Sequence, residues 1–528
     1  MNTKTKGIIA GGSQATVDAG AEMFEQGGNA IDAAIASVAA SWISENCLTT
    51  PGGGGFAVVH DARSGTDTVF DFFSTAPGLG RTSRPDPFDF KTVRIDFGSA
   101  IQEFYLGRGS VAVPGNMKGL AALHAELGLL PLKIVFEPAI RYARAGIPLQ
   151  PIGGVIIELL QEALKSTPEM AGLYRNGDAW KKVGDHYSMP DLATTLEHLV
   201  SVGFDDAYRG DVAAAIVADQ EANGGLMTAE DLRSYEVVRR KPLTIGYRGQ
   251  TIITNPPPSS GGILIAFSLA LLEGHNVATL GHGTAAHLEL LAEVMRTTNL
   301  ARVEAGEISV EQFLSPENRA VWADHLRQFL TMPYTERPID LKQLRAPSST
   351  TQVSAMDADG NAVSITTSAG ESPGYIVPNT GLILNNMMGE EDLHPKGFHL
   401  MTPGTRLSSM MAPSIVLEKG IPRIVLGSGG SNRLRSAILQ TMVNIIDFKM
   451  PVKQAVEVSR IHWERGKFDM EAGHDPQAIE QLRFKKIAVN AWDKKSMFFG
   501  GVHTVERAHD GSLAGAGDPR RFGAVSSN

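Results

Sequence analysis

The 528-residue chain holds a single cysteine, Cys47, which excludes an intrachain disulfide and leaves no thiolate cluster for zinc or iron–sulfur chemistry. A reducing compartment suits such a chain. Long apolar runs are missing too. The most apolar segment, Ile263 to Leu272, falls well short of the roughly 20 residues that span a bilayer, so it reads as a buried helix. The opening "MNTKTKGIIAGGSQATVDAG" moves from two lysines straight into a turn and a helical pattern, without the apolar core of a secretion signal. A cytoplasmic chain with no membrane partner is the expectation. Positive charge is also in short supply, with 48 basic residues against 57 acidic ones and a formal charge of -9. No basic cluster is long enough to follow a phosphate backbone, which argues against a nucleic-acid partner. Internal repeats, low-complexity tracts and flexible linkers are absent.

What is present is core-forming material, 43% hydrophobic and only 20% charged. Gln14 to Gln26 predicts a helix stopped by Gly27-Gly28, and Asn29 with Asp32 three residues later predicts the cap of a second. In that second helix Ile31, Ile35, Val38 and Trp42 share one face. "PGGGGFAVV" (51–59) leads into a strand, "TVFDFFSTAPG" (68–78) supplies another, and 115 to 235 is helix-rich. "YRGQTIITNPPPSSGGILIAFSLALL" (247–272) reads as strand, breaker loop and helix. From Thr350 onward short strands are expected at 352–356, 362–367, 374–377, 381–385, 413–417 and 423–426, before "GSGGSNRLRSAILQTMVNIIDF" (427–448) turns a strand into an amphipathic helix. Length alone would suggest about three domains. Strands near both ends of the chain with helices between fit one layered α/β body better.

Within "APSSTTQVSAMDADGNAVSIT" (346–366) the pattern predicts a hairpin turning at Asp359-Gly360. Its leading Thr350-Thr351 is, taken alone, ordinary strand-forming sequence. Gly429-Gly430 falls between a strand and a helix beginning near Ser431 or Asn432, where backbone N–H groups can face an anion. No Lys-Ser or Lys-Thr follows, so a phosphate loop fits poorly. His394 and His399 lie in "HPKGFH" without a third ligand at metal-binding spacing, and His462 with Glu464 in "RIHWER" suits a structural hydrogen bond. No metal or other cofactor is implied.

Nine stretches, in order along the chain, carry a resemblance. They are "EQGGNAIDAAIA" (25–36), "PGGGGF" (51–56), "GSVAVPGNMKGL" (109–120), "PPPSSGG" (256–262), "STTQVSAMDADGNAVSIT" (349–366), "GLILNN" (381–386), "RLSSMMAPSIV" (406–416), "GSGG" (427–430) and "AGDPRR" (516–521). The sequence thereby resembles the γ-glutamyltransferase (glutathione hydrolase) family of N-terminal-nucleophile hydrolases. The resemblance implies a four-layer αββα sandwich. It also implies a precursor that cuts itself between Ser349 and Thr350, leaving a large subunit (1–349) and a small subunit (350–528) associated as a heterodimer or a dimer of heterodimers. Thr350 would then be the nucleophile and, through its free α-amine, its own base, since such an amine titrates near about 7.7–8. Before the cut that nitrogen is an amide, so the precursor is expected to be inactive. The family pattern further implies Thr351 and Ser368 as hydroxyls beside the nucleophile, Gly429 and Gly430 as the oxyanion site, and Ser408 and Ser409 as binders of a substrate carboxylate. Asp518 with Arg520 or Arg521 matches a C-terminal element of the family and reads as a structural ion pair.

The resemblance breaks in the shell that would select a glutamyl group. The family's glutamyl-binding arginine is replaced by Phe73 in "DFFSTAP", and an aromatic ring cannot make the bidentate contact of a guanidinium with a carboxylate. Ammonium-binding positions hold Met387 and Glu390, and "SAGES" (368–372) lacks the family's asparagine. The segment from Glu391 to Thr405 is shorter than the family's lid loop, which predicts wider access. Arg108 and Arg406 are the candidates for a replacement cation, Arg406 being the better placed. The reading is an amide hydrolase or acyltransferase acting through an acyl-enzyme, with water or an amine as acceptor. Its substrate is a small carboxylate-bearing amide, either γ-glutamyl or one lacking the α-amine, of oxamate-like or glutaryl type. A non-catalytic scaffold is the rival of another class; joint retention of Thr350, Thr351, Ser408-Ser409 and Gly429-Gly430 argues against it.

Overall fold

A computed structural model of the chain describes residues 4–96, 101–306, 308–339, 350–394 and 396–528. Two antiparallel sheets form its centre. The first contains β1 (Gly7–Gly11), β2 (Gly54–Asp61), β3 (Thr66–Phe72), β4 (Val238–Arg240), β7 (Thr351–Asp357), β8 (Ala362–Ser368) and β13 (Ala524–Ser527), in the spatial order β4-β3-β2-β8-β7-β1-β13. The second contains β5 (Leu243–Tyr247), β6 (Gln250–Thr254), β9 (Ser414–Glu418), β10 (Ile421–Gly429), β11 (Gly501–Arg507) and β12 (Leu513–Ala516), paired in that same order.

Alternation along each strand builds the layers. On β7 and β8, Val353, Ala355, Val363 and Ile365 join a core with helices α1 (Gln14–Glu25), α2 (Ala30–Ser44) and α3 (Leu132–Ala145). Met356 and Ala362 instead point into a core between the sheets, with Val58, Ile253, Ile415 and Val425. A third core covers the outer face of the second sheet with α4 (Gly261–Glu273), α5 (Ala285–Ala305) and α6 (Arg433–Ile446). The order is therefore helix, sheet, sheet, helix, as expected. Polar groups also cross between the sheets: Ser354 donates to the His503 carbonyl and Ser364 to the Leu426 carbonyl, both at 2.8 Å. Buried hydroxyls with such partners specify register as well as stability.

The predicted local features are present where their physics is local. Asn29 caps α2 in a capping box with Asp32, and Ile31, Ile35, Val38 and Trp42 are buried. The hairpin turns at Asp357–Asn361, with Gly360 at φ +101, a value that favours glycine. Two expected strands are not formed. Residues 374–377 and 381–385 run as buried loop, because Pro373, Gly374, Pro378 and Gly381 interrupt any ladder. Side chains hold this loop instead: Asn385 donates to the carbonyls of Gly52 and Ala112 and accepts from the Ala112 amide. No helix among the described residues is long and apolar enough to cross a membrane.

Candidate active site

Thr350 sits at the mouth of β7 and is almost completely buried, with 2% of its surface exposed. Ser349 and the nine residues before it lie outside the described residues. A cavity of about 70 Å³ opens beside Thr350; its walls include Ser368, Glu390, Ser408 and Ser409 together with Phe73, Met387, Leu393, Met410, Met411 and Leu434. Seven positions singled out from sequence thus converge, Phe73, Thr350, Ser368, Met387, Glu390, Ser408 and Ser409, although they come from the residue after β3, the residue before β7, the end of β8, the 3-10 turn Met387–Gly389 with the residue after it, and the loop before β9.

The glycine pair turns β10 into α6 directly behind Thr350. A Cβ added at Gly429 would fall 2.2 Å from the Thr350 carbonyl oxygen, so only glycine lets the two backbones approach. Gly430 has φ +125, and Ser431 follows at +53, which swings the chain into the helix. Ser431 and Asn432 then line the cavity themselves. Ser428 braces the turn, donating to the Gly429 carbonyl at 2.7 Å and accepting from the Gly501 amide at 3.0 Å.

Thr351 points away from the cavity, to the other face of the sheet. Its hydroxyl donates to the Glu45 carboxylate, which also accepts from Thr16. A Cβ at Gly12 would lie 2.1 Å from that carboxylate, so the glycine makes room for it. Sequence reasoning missed Glu45, which lies at the C-terminal end of α2 and carries no local motif. Burial pushes the Glu45 carboxyl above its usual 4.5, against hydrogen bonds from Thr16 and Thr351 and the nearby positive charge of Arg521. The folded state therefore holds this proton more tightly than the unfolded chain does. The resulting stability is present at low pH and is lost as pH rises from about 4.5 through the raised value. Glu45→Gln mimics the protonated form and should melt progressively higher than the parent as pH rises above about 4.5, measured by calorimetry at matched salt. Parallel pH dependences for the two proteins would contradict this.

Arg521 donates to the Thr350 carbonyl at 3.1 Å, pinning the residue's backbone. Burial lowers its guanidinium to about 10. Its neighbour Arg520 pairs with Glu471 at 2.5 Å and with Asp518 at 3.2 Å, and Asp518 meets Arg460 at 2.6 Å. The Asp518–Arg520 contact is thus the expected ion pair, while Arg521 has turned to the site.

Neither expected replacement cation reaches the cavity. Arg108 gives Nε and Nη2 to Asp219, at 3.2 and 2.9 Å, and lies over the Tyr375 ring at 3.9 Å. Arg406 donates to the Tyr235 hydroxyl at 2.9 Å and to the carbonyls of Phe73 and Glu236, with Asp71 nearby at 3.6 Å. Arg108 is engaged by Asp219 and Tyr375 and Arg406 by the segments around β3, which corrects the expectation that they contact substrate. Arg302, from the last turn of α5, does line the cavity and was not singled out from sequence. Phe73 stacks on Phe56 with centroids 5.3 Å apart and belongs to the core between the sheets.

His394 and His399 bind the carbonyls of Met387 and Gly109 through Nε2, at 3.0 and 2.9 Å. No cluster of three or more metal-ligating side chains occurs among the described residues. His462 contacts the Ser436 hydroxyl through Nδ1 at 2.8 Å, the structural use expected for it.

Comparisons with known proteins identify the family and the fold. The acylase ACY 1 proenzyme of Pseudomonas sp. (strain V22) is 31% identical over 97% of this chain and 92% of its own length. The glutathione hydrolase proenzyme of Escherichia coli (strain K12) is 29% identical over 98% of this chain and 90% of its own. In fold, the crystal structure of cephalosporin acylase from Bacillus halodurans superposes with a TM-score of 0.82 at 24% identity, covering 99% of this chain and 96% of that one. The Gamma-glutamyltranspeptidase family model matches residues 16–527, and the chain belongs to that family of enzymes.

Proposed function

We propose that the protein is an N-terminal-threonine amidohydrolase that matures by cutting its own chain between Ser349 and Thr350 and then releases a small carboxylate-bearing acyl group from an amide. The observation that carries this reading is the meeting of Thr350, Ser368, Ser408 and Ser409 around one cavity, with the Gly429-Gly430 turn against the Thr350 backbone. The names of the relatives, proenzymes of an acylase and of a glutathione hydrolase, support maturation into two associated chains.

In the proposed reaction the Thr350 hydroxyl adds to the amide carbonyl while its proton passes to the Thr350 α-amine. N–H groups of the Gly429-Gly430 turn stabilise the developing oxyanion. Collapse breaks the C–N bond, the same proton leaves with the amine, and an ester to Thr350 remains. Water then adds to the ester while the α-amine takes its proton; collapse breaks the C–Oγ bond, that proton returns to the Thr350 hydroxyl, and the acid departs, an amine in place of water giving transfer.

Within the substrate class, an acyl group lacking the α-amine is favoured over γ-glutamyl. The ammonium of a glutamyl group would meet Met387, which is apolar, and would depend on Glu390 alone. Desolvating a cation with too few partners costs several kcal/mol, roughly. The test has two parts. Denaturing electrophoresis with N-terminal sequencing should find chains 1–349 and 350–528, the second beginning at Thr350. Paired anilides that differ only in the α-amino group should then show higher kcat/KM without it, by about 10-fold or more. A small chain starting elsewhere would end the nucleophile assignment, and a preference for the γ-glutamyl member would reverse the substrate choice.

A further inference from the structure

We infer that Glu45 is a positioning residue for the nucleophile: its carboxylate, hydrogen-bonded to Thr351, is the counter-charge of the ammonium that Thr350 acquires when it takes up its own hydroxyl proton. The role goes beyond the function proposed above and rests on it for the identity of the nucleophile. In the acylation step the bond from Thr350 Oγ to the carbonyl carbon forms as the Oγ proton passes to the α-amine. A neutral nitrogen thus becomes cationic at a residue that is only 2% exposed. A cation formed out of water needs an anion near it. Glu45 itself gains and loses no proton in this step, and the nitrogen passes its proton on to the departing amine.

Glu45 closes the C-terminal end of α2, and its side chain passes beside Gly12 to reach both the first turn of α1 and the start of β7. Thr16 Oγ1 donates to Glu45 Oε1 at 2.5 Å and lies 2.9 Å from the hydroxyls of Ser13 and Ser44, while Thr351 donates to Glu45 Oε2. Thr351 is covalently next to Thr350, so backbone dimensions place the carboxylate within about 9 Å of the Thr350 nitrogen. From Arg521, Nη1 donates to the carbonyl of the same peptide unit at 3.1 Å. The link between Thr350 and Thr351 is therefore held by an acid and a guanidinium. Burial opposes a charge on Glu45, and so do the carbonyls at the end of α2. Two hydroxyl donors, the first turn of α1 and Arg521 favour it. In the precursor the nitrogen of Thr350 is a neutral amide; the cut adds a second cationic partner. The other charged groups about the pair are Arg433, Glu371 and Asp518 around Arg521, with Glu390 and Arg302 on the cavity wall. All of them remain when Glu45 alone is changed.

The experiment follows kcat/KM against pH for the processed wild type, Glu45→Gln and Glu45→Asp. Its substrate is the anilide without the α-amino group, so that no substrate amine titrates in the same range. N-terminal sequencing first locates the start of each small chain. A start other than Thr350 overturns the nucleophile assignment and this role with it, whereas a correct start with an unmoved profile overturns the role alone. In Glu45→Gln the acid limb, which reports the free base, should move down by about 0.5 to 1.5 pH units, since an ammonium without its anion sheds its proton more readily. The same variant should lose about 3- to 30-fold in kcat with KM inside about 2-fold. Glu45→Asp keeps the charge and should hold the limb within about 0.3 units of wild type. Equal displacement of the limb in both variants would mark Glu45 as merely structural and reject the proposal. Should Glu45→Gln fail to process, the wild-type enzyme decides: reductive methylation of the Thr350 α-amine, located by peptide mass mapping, should have a midpoint at or above the reference of about 7.7 despite burial. A lower midpoint is what burial alone produces and would equally reject it.

Discussion

Thr350→Ala should yield one full-length chain on denaturing gels and a loss of amidase activity of at least about 10³-fold, because on the proposed mechanism it removes the attacking hydroxyl and, with no cut, leaves the α-amine that would act as base locked in an amide. Thr350→Ser is the matched control. It keeps a hydroxyl and an amine and should process more slowly while retaining measurable turnover. The expected contrast is qualitative, since the alanine variant loses both the cut and the chemistry while its buried site changes by a few atoms only. Circular dichroism and melting temperature should match the parent, as Thr350 makes no large apolar contribution to any of the three cores. Two bands with full activity in the alanine variant would require another nucleophile altogether.

The second large effect is expected at Gly429→Ala. The added methyl would stand 2.2 Å from the Thr350 carbonyl oxygen and 2.9 Å from an Arg521 nitrogen. The first of these is backbone, so relief means moving either the nucleophile's strand or the turn that faces it. A shift of that size spoils the alignment of N–H donors with the oxyanion, and kcat should drop by about 10² to 10³ with little change in KM. Processing is expected to slow in parallel, since it uses the same hydroxyl and the same turn. Measured single-turnover acylation separates this from a folding defect. If acylation in the variant stayed within about 3-fold of the parent, the turn would not be the oxyanion site.

How much of this was legible beforehand follows from how local each signal is. Asn29 with Asp32 announces a helix start within four residues, and the hairpin around Gly360 is written in an alternating pattern with a turn between. Such features are legible because the residues that make them are neighbours in sequence. The segments 374–377 and 381–385 have apolar content like strands, yet their prolines and glycines deny them a ladder, and Asn385 satisfies the backbone instead. Periodicity alone had no means of anticipating a side chain doing a strand's work. Glu45 lies 306 residues before its partner Thr351, and Arg302 reaches the cavity from a helix whose sequence shows no motif. Arg108 and Arg406 were attractive because they adjoin family motifs. Adjacency along the chain does not leave a guanidinium free, and both are spent on Asp219, Tyr235 and main-chain oxygens.

The strand order of the first sheet bears on what a cut before Thr350 would leave behind. β7 and β8 would belong to the shorter product, yet they lie between β2 and β1 of the longer one, and β1 is itself clasped on its far side by β13 of the shorter. Neither fragment could slide out without tearing ladders along both of its borders. Dilution would therefore not part them, and subunit exchange between differently tagged molecules should be no faster than global unfolding. Halves synthesised apart would have to fold around each other to regain the sheet, so a single uncut polypeptide is the practical route to assembling this enzyme.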